Sequence, residues 1–459
     1  MAEMHTYKLS SIDQSVVKTY IRYCLCYPCQ DYEVLQVTKR LQAAVKRVVT
    51  HLPILAGTVH SVAGDGQRGC LEVSVSLNQV NTFAATTKDL HSNTHISTYQ
   101  QLSAAAMPPS ELVGDDFTPV PDTPSDSGPV FVVQGSFIRG GLIVALYLHH
   151  SVADISSLGT IMREMSSDLP SCKLTNDDLR HDALEQTRLR DRLSGSRGVK
   201  SVEHPEHTLS LTNEVSEVTQ ADSQRPCCCV VGFSLKIIEG TKEMINERFH
   251  YYHQGSPIRL TGFDVMAAIL WKAISRASWQ EEPVAEGQQS SLTIPVNIRN
   301  RIEPPLDNDF FGNAVVPADV HQAILRLRLP FELTDIQHTA WLIRTSMAAV
   351  TEPYVRSVIA AINAREDVVE NVTPSHKSGS SLVITSWADL PLDEAELTLG
   401  IGRPEWGRTS GREHAASGCI VLPVKREQDL WESTVQLTED VMERLLKDEG
   451  FMKFVNWVA

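Results

Sequence analysis

The chain offers no window of about 18 consecutive apolar residues, so no segment reads as a membrane-spanning helix. Its first residues, MAEMHTYKLSSIDQSVVKTY, lack the apolar core of a secretory signal. Positive charge is scarce: 41 Lys and Arg stand against 56 Asp and Glu, a net charge of −15. No basic block interrupts this balance, which argues against nucleic acid or an anionic membrane surface as partner. An anionic ligand would need a local basic pocket set against that global field. There is no G-x-S-x-G elbow, no P-loop and no dinucleotide fingerprint, so serine-hydrolase, nucleotide-hydrolase and Rossmann readings gain no support. No short-period repeat is visible. These absences lead us to expect a cytoplasmic globular protein.

The nine cysteines are an odd number, and a reducing compartment makes disulfides improbable. Cys24, Cys26 and Cys29 lie in YIRYCLCYPCQ, which alternates like a strand. Three thiols without a fourth ligand nearby make a poor zinc site. Cys227–Cys229 open another strand-like run, PCCCVVGFSL. Both clusters read as small buried residues, and no metal is expected.

At 459 residues the chain exceeds one ordinary core, so two domains of roughly 200 residues each are expected. EVLQVTKRLQAAVKRVVTH (33–51) has helical spacing and runs into HLPILAG, where Gly57 marks a turn into a strand. Residues 104–129 are Pro-rich, acidic and aperiodic, a long surface loop. PVFVVQGSFIRGGLIVALYLHH reads as a hairpin broken at Arg139-Gly140-Gly141. Ile155, Leu158, Ile161, Met162 and Met165 then recur on one helical face. Residues 193–226 are polar and rich in Ser, Thr and Glu, the best candidate for an interdomain crossover. It divides the chain into expected domains 1–192 and 227–459. In the second half, strands are expected at 228–236, 291–298, 381–386 and 418–423. Helices are expected at 263–277 and 334–349, with a final amphipathic helix at about 427–447. Strands and helices mix in both halves, so the class is α/β.

One short stretch carries chemistry. IVALYLHHSVAD (143–154) is an apolar strand that stops at His149 and His150, with Asp154 four residues beyond the second. An imidazole titrates near neutrality and can take a proton from a hydroxyl or amine and return it. The carboxylate could orient that ring or hold the strand-to-helix turn by a salt bridge. A polar strand end with no catalytic role fits the same residues.

The company of the motif favours the first reading. LSSIDQ (9–14), PILAG (53–57), HHSVAD (149–154) and FDVMAAILWKAISRA (263–277) occur in order. They are followed by PVNIRNRIEPPLDNDFFGNAV (295–315), SLVITSWADLPL (381–392) and GIGRPEW (400–406). In these blocks the chain resembles the BAHD acyl-CoA-dependent acyltransferases, in particular the fungal branch around the trichothecene 3-O-acetyltransferases. That resemblance implies two similar chloramphenicol-acetyltransferase-like mixed-sheet domains with an active-site channel between them. It implies His150 as general base and Asp154 as a structural partner of Arg299 or Arg301, with His149 a packed neighbour. Thr385 and Trp387 would line the substrate and oxyanion pocket. Asn313 would lie near the CoA channel, and Arg403, Arg408 and Arg412 are candidates for the CoA phosphates. Acyl-CoA, and acetyl-CoA by the fungal branch, would be a co-substrate rather than a resident cofactor. The acceptor would be a hydroxyl of a hydrophobic secondary metabolite such as a terpenoid or alkaloid, and the protein a monomer.

The sequence departs from the family pattern in places. Ile155 replaces the usual Gly after the aspartate, and Phe310 stands for the Tyr of Y-F-G-N. In ELTLGIGRP (396–404) the Asp of the D-F-G-W-G loop becomes Thr398, or Glu396. Two other readings keep the same motif: a condensation domain joining amines to carrier-bound acyl groups, and a non-transferring relative that binds or cyclises a metabolite.

Overall fold

The computed structural model describes residues 3–62, 67–120, 127–195, 226–252, 259–280, 283–368, 381–410 and 418–459. The crossover expected at 193–226 falls almost wholly outside them, as does Arg412. Among the described residues, three sheets organise the chain. A five-stranded sheet runs in the order Trp406–Thr409, Tyr20–Pro28, Gly141–His149, Phe131–Ile138, Thr86–Asp89. A four-stranded sheet is built from Met4–Lys8, Leu71–Ser76, Thr58–Ser61 and Gly128–Pro129. The second half contributes a seven-stranded sheet, ordered Val315–Ala323, Gln289–Asn297, Ser381–Ser386, Gly418–Val421, Leu430–Thr438, Pro226–Ser234, Val455–Val458.

The five-stranded sheet is buried on both faces, which is why its central strands read as unbroken apolar runs. In Gly141–His149, Leu142, Val144, Leu146 and Leu148 enter the large core, while Ile143, Ala145 and Tyr147 pack a second cluster with Tyr20, Cys24 and Cys26. The helix Val34–His51 covers the first face through Val37, Leu41, Ala44, Val45 and Val48. Leu158, Ile161, Met162 and Met165 of the helix Ile155–Ser166 join the same core, on the face that their spacing predicted. The hairpin turns at Gly140, whose φ of 77° suits glycine.

Strand Trp406–Thr409 belongs to the second half of the chain yet pairs antiparallel with Tyr20–Pro28, Trp406 opposite Cys26. The two halves therefore share one sheet edge. In the seven-stranded sheet, Gln289–Asn297, Ser381–Ser386 and Gly418–Val421 are neighbours in parallel register. Helices Gly262–Ser278, Leu333–Ala348 and Glu439–Lys447 cover its core face.

The helix expected over 427–447 is two elements. Leu430–Thr438 is a strand between Gly418–Val421 and Pro226–Ser234, and only Glu439–Lys447 is helical. Local spacing misled here because the strand is buried on both faces, Glu432 included, so no polar alternation survives to mark it. Helices Leu235–Tyr252 and Glu352–Asn363 were not anticipated. Cys24, Cys26, Cys29, Cys229 and Cys419 are buried, Cys227 and Cys228 half-buried. Among the described residues no group of three or more His, Cys, Asp or Glu is placed to hold a metal ion. No helix among them is long and apolar enough to cross a membrane.

Candidate active site

His149 and His150 separate at the end of their strand. His149 is the last strand residue, opposite Tyr20, and its ring meets the Tyr20 ring edge-on at 5.1 Å. His150 lies one residue beyond, in the turn, where its N–H donates to the Thr19 carbonyl at 2.7 Å. A tight turn, Val152 N–H to His149 carbonyl at 2.9 Å, then delivers the chain to Asp154. Asp154 caps the next helix: its side chain accepts from Ser157 N–H at 3.1 Å.

That carboxylate does more than cap. Arg299 grips it bidentately, Nη1 to Oδ2 at 2.8 Å and Nη2 to Oδ1 at 3.0 Å, and Ala314 N–H donates to Oδ2 at 3.0 Å. Both side chains are 2% exposed. Arg299 also donates to the carbonyls of Phe310 and Gly312. Every lone pair of Asp154 is thus directed at scaffold, and the resulting geometry is that of a post supporting the turn. Of the two arginines named as its partner, Arg299 is the one. Arg301 instead donates to the Met347 and Val350 carbonyls at 2.6 and 2.9 Å, at the end of a helix whose terminal carbonyls lack partners of their own.

A second buried pair mirrors the first. Arg190 donates to Asp13 at 2.6 Å, with the side chains 1% and 0% exposed. Arg190 also reaches the Val152 and Phe311 carbonyls. Asp13 in turn accepts from the backbone and side-chain N–H groups of Asn313, both at 2.9 Å. The Asn313 amide donates further to the His150 carbonyl at 2.8 Å. The F-F-G-N turn from the second half is therefore stitched beneath the histidine turn of the first. Asn313 is fully buried, so it supports this junction from within.

Sequence reasoning missed Asp13 and Arg190 as site residues. Ser10 and Asp13 did signal a helix start, since each caps the other. Arg190, by contrast, sits in the strongly polar helix Asn176–Asp191, where nothing local separates it from its solvated neighbours.

Burial holds the His150 ring below the ordinary histidine value of 6.5, while its own carbonyl, the Asp154 carboxylate, Asn313 and the Ala153 carbonyl oppose that shift. His150 is consequently neutral at pH 7, the state in which imidazole can accept a proton.

The Transferase family model matches residues 2–452. This chain belongs to that family, the BAHD acyltransferases, and is an enzyme of acyl transfer. It is 24% identical to O-acetyltransferase ptmV of Penicillium ochrochloron, covering 98% of this chain and 96% of that protein. It is likewise 24% identical to acyltransferase easC of Emericella nidulans, covering 97% and 94%. Its fold is that of F. sporotrichioides TRI101 in complex with coenzyme A and T-2, at TM-score 0.79 and 19% identity over 98% of this chain and 99% of the other.

Four further residues were expected at the site: Thr385, Trp387, Arg403 and Arg408. Thr385 lies on Ser381–Ser386, whose Leu382 and Ile384 enter the core of the second half. Alternation turns Thr385 to the opposite face, and Trp387 just beyond packs into the core of the first half, edge-on to Tyr23 at 5.9 Å. Arg408 is fully buried in a bidentate pair with Glu432 and donates to the Met107 and Ala106 carbonyls. It has no surface to offer a phosphate, which corrects its candidacy. Arg403 is 64% exposed and lies 3.5 Å from Glu396.

The altered closing loop is well anchored. Thr398 and Leu397 adopt positive φ, as do Gly400 and Gly402. Arg40 donates to the Leu399 carbonyl at 2.8 Å, and Arg47 reaches Thr398 Oγ1 at 3.4 Å. Thr398 thus meets an arginine with a neutral oxygen, and Glu396, the other candidate for the family's aspartate, lies 3.5 Å from Arg403.

Proposed function

We propose that the protein transfers an acyl group, acetyl by preference, from acyl-CoA directly to a hydroxyl of a hydrophobic secondary metabolite, with His150 as general base. The observation that carries this reading is a half-buried imidazole whose turn is fixed at the junction of the two halves by two buried ion pairs. Relatives support the chemistry: ptmV is an O-acetyltransferase, and TRI101 binds coenzyme A together with T-2.

In this mechanism His150 removes the acceptor hydroxyl proton as the oxygen attacks the thioester carbonyl. The tetrahedral intermediate collapses, the C–S bond breaks, and the imidazolium returns its proton to the departing CoA sulfur. No covalent acyl-enzyme forms. A positioned base contributes about 10²–10⁴ in rate, and holding both substrates in one channel at least as much again. Thr385 and Trp387 line the pocket that receives the oxyanion, a role worth roughly 10²–10³. Arg403 is the phosphate-facing candidate, since its exposed pairing with Glu396 is weak enough for a phosphate to displace. The chain acts as a cytoplasmic monomer in this reading, with domains 1–192 and 227–459 forming the channel walls.

The test is release of free CoA thiol from a panel of acyl-CoAs, with mixed terpenoid and alkaloid alcohols as acceptors. Wild-type turnover that falls at least about 100-fold in His150→Ala establishes reaction and base together. A folded wild type that neither binds nor consumes any acyl-CoA refutes the reading.

A further inference from the structure

A general base needs more than neutrality: its free lone pair must be on the nitrogen that faces substrate. The Asn313 carboxamide bears on which nitrogen that is. Its two amide hydrogens each meet an atom that can only accept, Asp13 Oδ1 at 2.9 Å and the His150 carbonyl at 2.8 Å. Flipping the amide would set its oxygen against a carboxylate and a carbonyl. The orientation is therefore fixed, and Arg190 fixes it further by holding Asp13 from the other side at 2.6 Å.

Two buried atoms are left over. Asn313 Oδ1 and His150 Nδ1 both lie out of solvent without a hydrogen-bond partner among the described residues. They belong to residues already joined through the Asn313 amide and the His150 carbonyl. An amide oxygen cannot donate, so the two satisfy each other only when Nδ1 carries the hydrogen. The geometry points to Asn313 as a positioning residue that holds His150 as the Nδ1–H tautomer, leaving Nε2 as the proton-accepting nitrogen. This rests on the acyl-transfer reading for its use, but not for its measurement.

The other groups acting on the ring agree. The carbonyls of Ala153 and of His150 itself are acceptors, and so is the Asp154 carboxylate. Asp154 is paired with Arg299, and Asp13 with Arg190, and the Asp154 carboxylate still favours the protonated ring. Catalytic hydrogen bonds are commonly long in a free enzyme and tighten with substrate bound. The Asn313–His150 contact is expected to do the same.

The tautomer can be read by 15N NMR of histidine-labelled protein at a pH where the ring is neutral, with His150 assigned by the resonances lost in His150→Gln. Nδ1 should show the protonated, pyrrole-type shift and Nε2 the bare, pyridine-type shift. Asn313→Ala and Asn313→Ser should mix the tautomers and lower kcat by about 10–100-fold, the range typical when a partner orienting an imidazole is removed, with KM little changed. Because the lost oxygen favours the protonated ring, the acid limb of the rate profile should also move to lower pH in Asn313→Ala. A wild type with hydrogen on Nε2 overturns the proposal, as does an Asn313→Ala enzyme that slows with neither tautomer nor pH limb changed. Should the variants fail to fold, hydrogen on Nε2 in the wild-type spectrum still overturns the proposal. A protein that transfers no acyl group but shows the Nδ1–H tautomer fails the functional reading and keeps this one.

Discussion

Asp154→Asn separates a structural carboxylate from a catalytic one. In the native protein each oxygen of Asp154 receives only donors: Oδ1 from Ser157 N–H, Ser157 Oγ and Arg299 Nη2, Oδ2 from Arg299 Nη1 and Ala314 N–H. An asparagine amide must place its NH2 against one of those sets in either orientation. It also leaves the Arg299 guanidinium, 2% exposed, without its counter-charge. Breaking a buried pair by removing one partner costs about 3–5 kcal/mol, against about 5–15 kcal/mol for a whole domain. Urea unfolding of Asp154→Asn should therefore show a midpoint loss of that size with m unchanged. Arg299→Met should behave similarly. The double variant Asp154→Leu/Arg299→Met should be more stable than the two single losses sum to, because no orphan charge remains. At temperatures where Asp154→Asn stays folded, the remaining rate loss should be smaller than that of His150→Ala. The reasoning is refuted by a variant that keeps native stability yet loses as much activity as His150→Ala, which would put the carboxylate in the chemistry.

Further outcomes follow from the same geometry. Because burial lowers the His150 pKa below 6.5, the rate should stay high through neutral pH and fall only as acid protonates the ring below that value. The linked stability has the same sign: it is full above the unfolded value of 6.5 and lost as pH falls toward the folded one, measurable as a urea midpoint across pH. Gly400→Ala should lose about 1–3 kcal/mol in urea, since φ is 74° and its Cβ would clash with the Arg40 guanidinium. Gly402→Ala, at φ 85° with open space around it, should lose only the backbone part; equal losses would show that the Arg40 contact is unimportant. Burial pushes the Cys24 thiol up to about 12 and Cys26 well up, while Cys172 is exposed. Iodoacetamide should label Cys172 first and reach Cys24 and Cys26 only on unfolding; early labelling of those two, followed by mass spectrometry, would contradict their burial.

What the sequence disclosed and what it hid divide by the range of the interaction. The Gly141–His149 strand, its glycine turn and the helix after Asp154 were legible because each rests on neighbours in the chain: an apolar run, Arg139-Gly140-Gly141, and a cap four residues past a histidine. Arg299 was legible only through the family pattern, which left Arg301 as its equal. The choice between them is made by the Met347 and Val350 carbonyls, some fifty residues away and invisible to local spacing. Leu430–Thr438 was misread for a related reason: Glu432 looks like a solvent-facing helix residue until Arg408 and Lys425 close on it from distant segments. Buried charge is the common thread. Arg190, Arg299 and Arg408 are each nearly or fully buried, and a guanidinium can be buried only where a carboxylate and carbonyls converge on it. Those convergences are long-range, and two of the three secure the turn bearing His150. The motif thus locates His150, while the rigidity of the turn that bears it comes from charges whose sequence positions carry no mark of burial.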